Sequence, residues 1–323
     1  MVRVLFANEQ FNAGMAWSDL SPLLPGWQID ACARNELLSA VDGADVVCPF
    51  GARVDRGVIA AGRFGLVQQF GVGLDAVDIE AATELGVWVS RLPGELTGNA
   101  DSVAELVVTH VLLLMRRVDE ARQALRERRW GQPMGRSLVD STIVVVGLGA
   151  SGIAVVNRLR PFGPRILAIR AHPERGAVDG VDRVAGPGEL RALAGEADIL
   201  ICCATLDETT RNLFDSGVFG AVRPGALFVN VARGGLVDEP ALLDALNSGR
   251  LAGAALDVFA TEPADPHSAL LTHPNVIATP HIAGLTGRTF RNSARLFAGN
   301  LRRWAEGAAP EWSANEPPAP RRP

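Results

Sequence analysis

The 323-residue chain is 48% hydrophobic and 21% charged, which is enough to bury a large core and, from its length, to form roughly two domains. Its formal net charge of -5, with arginines interspersed among Asp and Glu, excludes the basic face that nucleic acid requires. No apolar run reaches the roughly 20 residues of a membrane span, and the opening MVRVLFANEQ turns polar too soon for a secretory leader, so a cytoplasmic protein with no membrane partner is expected.

Through residues 1–100, the β-rich runs VRVLFA, WQIDAC, DVVCPF, LVQQF and VWVS alternate with helical stretches such as LDAVDIEAATELG. This is the pattern of βα units around a parallel sheet. A long apolar helix follows, VAELVVTHVLLLMRR, with Ser102 and Glu105 spaced as a capping box at its start; it is expected to carry the chain between domains. Six further strand candidates, TIVVVG, RILAIR, ILICCA, ALFVNVA, AGAALDV and NVIATP, suit a dinucleotide-binding fold. After His281 the sequence reads as a turn and a final amphipathic helix that returns to the first domain. The proline-rich tail from Ala308 is expected to be disordered. Cys32, Cys48, Cys202 and Cys203 show neither metal-ligand spacing nor a disulfide framework, so free buried thiols and no metal are expected.

VVVGLGASGIAVV places Gly147, Gly149 and Gly152 in G-x-G-x-x-G spacing directly after a strand and at the opening of a helix, the context that gives this motif its meaning. The first glycine permits a tight turn, the second lets backbone approach a pyrophosphate and the third allows close packing. Amides at the helix start, around Ala150 and Ser151, face the anion. The next strand ends at Arg170, 23 residues on from Gly147, where an NAD site usually carries an acid against the ribose 2'-hydroxyl. Arg170, with His172 and Arg175 nearby, suits a 2'-phosphate and points to NADP, while Glu174 keeps NAD open.

Arg233 follows ALFVNVA, Asp257 and Glu262 follow AGAAL, and His281 follows NVIATP, so each lies at the carboxyl end of a different strand. Ligands of open α/β sheets bind outside those ends. A lone arginine there is ordinarily solvated and a lone histidine ordinarily packs, but the set matches the reduction of a 2-oxo acid. Arg233 grips the carboxylate and polarises the carbonyl, His281 donates a proton to the oxygen, and Glu262 hydrogen-bonds His281. His110 sits in an apolar helix and His267 and His273 flank a proline-rich loop; none of the three is given chemistry.

VNVARGGLVDEPALLDAL, AALDVFATEP and TPHIAG closely resemble the signature segments of the D-isomer-specific 2-hydroxyacid dehydrogenases, and GVGLDAVD, TGNADSVAE and VVVGLGASG extend the resemblance over about residues 40–290. The resemblance implies two doubly wound parallel-sheet α/β domains. These are a flavodoxin-like substrate domain from residues 1–100 plus 287–310 and a Rossmann NAD(P)-binding domain from 101–286, with 311–323 as the tail and the active site between the domains. It implies that Arg233, Glu262 and His281 are catalytic, that Asp257 lies near the nicotinamide, and that Val72 and Gly73 offer backbone amides to the substrate carboxylate. It also implies that Thr205 flanks the cofactor, although Ala204 stands where relatives often have proline.

Glu262 separates the chain from formate dehydrogenases, which resemble it but carry glutamine there. RLRPFGPRILAIRAHPERG is similar to the second-strand region of glyoxylate and hydroxypyruvate reductases, so the resemblance implies an NAD(P)H-dependent reductase of a small 2-oxo acid. Phe50 and Gly51 stand where the phosphoglycerate branch often has an Arg-Ser pair, though Arg53 remains as a charge. Two alternatives stay open: an NAD-dependent dehydrogenase of a bulkier or phosphorylated D-2-hydroxy acid, and a dinucleotide-sensing scaffold of the corepressor kind. A homodimer is expected from the long apolar helix and the stretch after it, in which Trp130 resembles an aromatic that reaches a partner subunit or packs at the interface.

Overall fold

The computed structural model describes residues 1–8 and 15–322. The chain divides into two units, Met1–Asn99 with Leu285–Pro323, and Ala100–Gly284. In the first unit β1 (Arg3–Phe6), β2 (Gln28–Ala31), β3 (Val46–Cys48), β4 (Leu66–Gln68) and β5 (Trp88–Ser90) form a sheet of order β2-β1-β3-β4-β5, parallel throughout. This is the flavodoxin-like order, with its switch point between β1 and β3. The inner strands β1, β3 and β4 are largely apolar on both faces, as buried parallel strands are. Val4 and Phe6 point to one side, with Phe297, Leu301 and Trp304 of the helix Gly287–Ala305, while Leu5 and Val47 point to the other, with Val58, Ile59 and Ala81.

In the second unit β6 (Thr142–Val146), β7 (Arg165–Ile169), β8 (Arg183–Ala185), β9 (Ile199–Cys202), β10 (Ala226–Asn230), β11 (Leu251–Leu256) and β12 (Val276–Ala278) form a parallel sheet of order β12-β11-β10-β9-β6-β7-β8. The switch point lies between β6 and β9, so the loop after β6 opens at the crevice where dinucleotide folds bind their ligand. Ile143 and Val145 pack under Val103, Val107 and Val111 of the helix Asn99–Met115, and Val144 and Val146 pack on the opposite face with Phe214 and Phe228.

Three expectations are corrected. The sheet has a seventh strand, β8, whose three residues run from exposed to buried and so carry no alternating signature. The long helix starts at Asn99, with Thr97 Oγ1 accepting from the Asn99 amide at 3.2 Å, so Ser102 is a buried residue inside the first turn and not a cap.

The tail, expected to be disordered over 311–323, is instead seated on the first unit; Pro323 lies outside the described residues. β5 is an edge strand, and its unpaired backbone groups find partners there. Ser90 bridges Ser313 antiparallel, the Asn315 side chain accepts from the Val89 amide at 2.8 Å, and the Arg321 amide donates to Gly86 O at 2.7 Å. Gly86 makes room for this path, since a Cβ on it would stand 2.4 Å from Ala319 O. Among the described residues no helix is long and apolar enough to cross a membrane.

Candidate active site

The loop after β6 is shaped by its glycines. Gly147 has φ +101°, a conformation that L side chains avoid, and a Cβ on Gly152 would lie 1.9 Å from Gly147 O. Those two glycines are required by the protein itself. Gly149 is different, because a Cβ there would meet nothing within 4 Å, yet it is the N-cap of the helix Ala150–Leu159 and offers no side-chain cap to the first-turn amides. Open space in front of uncapped amides is what a pyrophosphate needs, so the loop fits a dinucleotide. Cys203, just after β9, packs against the loop, and burial pushes its thiol up to about 12. Thr205, just beyond, accepts the Thr210 hydroxyl on its carbonyl at 2.8 Å.

Arg170 closes β7, its amide donating to Ala185 O at 3.0 Å. Glu174 pairs with His172 at 3.1 Å, and neither Arg170 nor Arg175 has an ion pair among the described residues. The second-strand end is therefore cationic.

Arg233, Glu262 and His281 all belong to the second unit and leave β10, β11 and β12 in turn. The Asn230 side chain shapes the first corner: its Nδ2 donates to Arg233 O at 3.0 Å and its Oδ1 accepts from the Ala232 amide at 3.0 Å. Gly234 lets the corner meet the next one, because a Cβ would fall 1.8 Å from the Phe259 carbonyl carbon. The Phe259 amide in turn donates to Glu262 Oε1 at 3.1 Å, and the other oxygen, Oε2, meets His281 Nδ1 at 2.8 Å.

Burial works to raise the Glu262 pKa, but the His281 hydrogen bond and charge, the Phe259 amide and the Arg233 charge together hold it below the usual carboxylate value. Glu262 is thus a carboxylate at neutral pH. With Nδ1 held by it, the Nε2 side of His281 is left for chemistry. Arg233 directs one guanidinium nitrogen, Nη1, to the carbonyl of Ala232 at 2.7 Å.

His281 has φ +55°, uncommon for any residue but glycine. Asp257 explains how the turn is held. Expected near the nicotinamide, it is fully buried, and its carboxylate is taken up by the chain that carries His281. Oδ1 accepts from the Thr279 hydroxyl at 2.6 Å and the Ile282 amide at 2.9 Å, and Oδ2 accepts from the Ala283 amide at 2.8 Å. The His281 amide donates to Asp257 O at 2.8 Å.

In the first unit, Val72 and Gly73 follow β4. Gln69 holds their loop, donating to Gly73 O at 2.8 Å and accepting from the Phe70 amide at 3.0 Å, and Val72 is exposed. Sequence reasoning missed Gln69, Asn230 and Thr279, whose only signal is a polar residue at the end of an apolar run. Among the described residues no group of three or more His, Cys, Asp or Glu could hold a metal ion.

Residues 108–283 match the model of the "D-isomer specific 2-hydroxyacid dehydrogenase, NAD binding domain". The chain belongs to the D-isomer specific 2-hydroxyacid dehydrogenase family. It is 34% identical to the glyoxylate reductase of Thermofilum pendens over 88% of this chain and 85% of that protein. It is 33% identical to the D-3-phosphoglycerate dehydrogenase of Archaeoglobus fulgidus over 88% of this chain but 54% of that protein, so it spans about half the length of that relative. The solved structure of the NADPH-dependent glyoxylate/hydroxypyruvate reductase of Sinorhizobium meliloti, in complex with NADP and malonate, superposes with a TM-score of 0.83 at 29% identity, over 100% of this chain and 99% of that one.

Proposed function

We propose that the chain reduces a small 2-oxo acid of the glyoxylate or hydroxypyruvate type to the D-2-hydroxy acid, with NADPH preferred over NADH. The observation that carries this reading is the 2.8 Å Glu262–His281 hydrogen bond beside Arg233, on three neighbouring strand ends of a dinucleotide fold. A nicotinamide cofactor held at the β6 loop would supply the hydride when bound. Arg233 binds the substrate carboxylate through charge-assisted hydrogen bonds and polarises the keto oxygen. His281 gives its Nε2 proton to that oxygen as negative charge develops on it, and Glu262 holds the ring in the orientation and protonation that this requires.

The cofactor preference is supported by the cationic end of β7, where Arg170 and Arg175 lack an acidic partner among the described residues and a 2'-phosphate would find one. A second reading, a phosphorylated 2-hydroxy acid, is favoured by the phosphoglycerate dehydrogenases among the relatives and by the exposed cation Arg53 after β3.

One assay tests both readings: consumption of NADPH and of NADH is followed with glyoxylate, hydroxypyruvate, pyruvate, phenylpyruvate and phosphohydroxypyruvate. The expected result is the highest kcat/KM with one of the first two and NADPH. Turnover confined to the phosphorylated acid would select the second reading, and a tenfold preference for NADH would overturn the cofactor assignment.

A further inference from the structure

His110 is a polar residue in an apolar place. It lies on the helix Asn99–Met115 between Val107 and Val111, only 1% exposed, and its Nδ1 is buried with no hydrogen-bond partner among the described residues. An apolar residue there would leave no orphaned nitrogen, so packing alone gives no reason for a histidine. Its other nitrogen, Nε2, stands 3.5 Å from Thr279 Oγ1, at the outer limit of a hydrogen bond. The Thr279 hydroxyl hydrogen is committed to Asp257 Oδ1 at 2.6 Å, so the oxygen has only lone pairs to offer. For that contact to be a hydrogen bond, His110 has to carry its hydrogen on Nε2 and donate it. Burial lowers its pKa, with the Asp257 charge partly opposing, which agrees with a neutral ring having one N–H and a bare Nδ1.

Thr279 and Asp257 are the two residues that fix the chain around His281. The Asp257 carboxylate accepts from the Thr279 hydroxyl and from the amides of Ile282 and Ala283, and the His281 amide is shared between Asp257 O at 2.8 Å and Thr279 O at 3.0 Å. His281 is held at φ +55° by this set. We propose that His110 is a positioning residue for the reaction: through the Thr279 hydroxyl and the Asp257 carboxylate it fixes the backbone turn that carries His281. The proposal rests on the reading of His281 as proton donor. It gives a role to a buried group 171 residues away in sequence that has no part in the chemistry itself.

The test compares His110→Leu, His110→Gln, Thr279→Val and the His110→Leu/Thr279→Val double variant with the wild type, in steady-state kinetics on whichever 2-oxo acid turns over best. Cofactor binding is measured by fluorescence, and His281→Ala serves as a control. His110→Leu is expected to lose about tenfold in kcat, because a small displacement of a reacting group is costly, with KM and cofactor affinity within about twofold. His110→Gln, which keeps a side-chain N–H donor, should regain most of the loss. In the Thr279→Val background the leucine should cost nothing further, since the two residues act as one unit.

Wild-type kcat in His110→Leu, equal losses in the leucine and glutamine variants, or losses that multiply in the double variant would each overturn the proposal. If the leucine variant fails to fold, the glutamine and Thr279→Val variants decide, and only rescue by glutamine together with a kcat-selective loss in Thr279→Val sustains it. A His281→Ala variant with near-normal turnover would overturn the proton-donor reading instead, so the two failures are distinguishable.

Discussion

At the carboxyl ends of β10, β11 and β12 the residue types do different work, and each has its own kinetic signature. In the proposed role Arg233 would both bind and polarise, so Arg233→Ala should raise KM and lower kcat together, each by roughly tenfold or more, since removing an oxyanion-type donor costs about 10²-fold. A KM left at the wild-type value would contradict carboxylate binding. Glu262 has a pKa held below its ordinary value of 4.5 despite its burial. A depressed carboxylate pKa means that the pair with His281 is intact above the ordinary range and is lost only as pH falls through the lowered value.

Reduction should therefore lose nothing from Glu262 as pH falls from neutrality to about 5, with loss setting in only below the ordinary carboxylate range. In Glu262→Gln that acid limb should vanish into a rate lowered at every pH, and a pH–kcat profile identical to wild type would remove Glu262 from the pair. Arg233, Glu262 and His281 were legible as candidates only as a set, each beyond a different apolar strand, since a lone arginine or histidine there would be ordinary. Asn230, Thr279 and the hold of Asp257 on the His281 turn were not, because their role lies in hydrogen bonds that only the folded turns bring near.

At the level of elements, the β6 loop and the edge of β5 show how far sequence pattern reaches. The glycine spacing announced the loop, but not that its glycines serve different ends. A methyl at Gly152 collides with the Gly147 carbonyl at 1.9 Å, whereas one at Gly149 meets no protein atom. Gly152→Ala should accordingly lower both Tm and cofactor affinity. Gly149→Ala should leave Tm within about 2 °C, the size of a conservative substitution free of strain, while weakening dinucleotide binding about tenfold or more. Unchanged binding in a folded Gly149→Ala protein would remove this loop from the cofactor site.

The tail misled for the opposite reason, since proline-rich composition says nothing of an edge strand waiting to be covered. Arg321 fastens it, with Nη1 donating to Gly62 O at 2.9 Å and lying 3.3 Å from Phe64 O. Losing these charged hydrogen bonds in Arg321→Ala should cost about 1–2 kcal/mol, read as a Tm lower by several degrees. A Tm unchanged in that variant would mean that the tail contributes nothing to the stability of the first unit.

For the whole molecule, two sheets of parallel order were foreseeable because most strands other than β2 and β8 are largely apolar runs alternating with helical stretches, and right-handed crossovers restrict the strand orders open to such a chain. One stretch of the second unit is marked by its exposure. Leu125, Trp130, Met134 and Val139 are 63%, 86%, 88% and 56% exposed, all within a segment that also carries many charges. Single exposed apolar residues are ordinary, but four in so short a stretch, two of them large and almost wholly in solvent, mark a surface that association would cover. We propose that this segment contributes to a two-fold homodimer, the commonest closed assembly, in which the same patch serves both copies.

Because an aromatic near the centre of such a patch tends to carry a disproportionate share of the binding energy, Trp130→Ser combined with Met134→Ser should shift the dimer toward monomer by about tenfold or more in Kd. Each position is so exposed that the fold of the monomer should be unaffected, leaving the circular dichroism spectrum as the control. Sedimentation velocity at micromolar concentration distinguishes the outcomes: a wild-type monomer removes the dimer altogether, and a double variant that sediments as a dimer moves the interface to another surface.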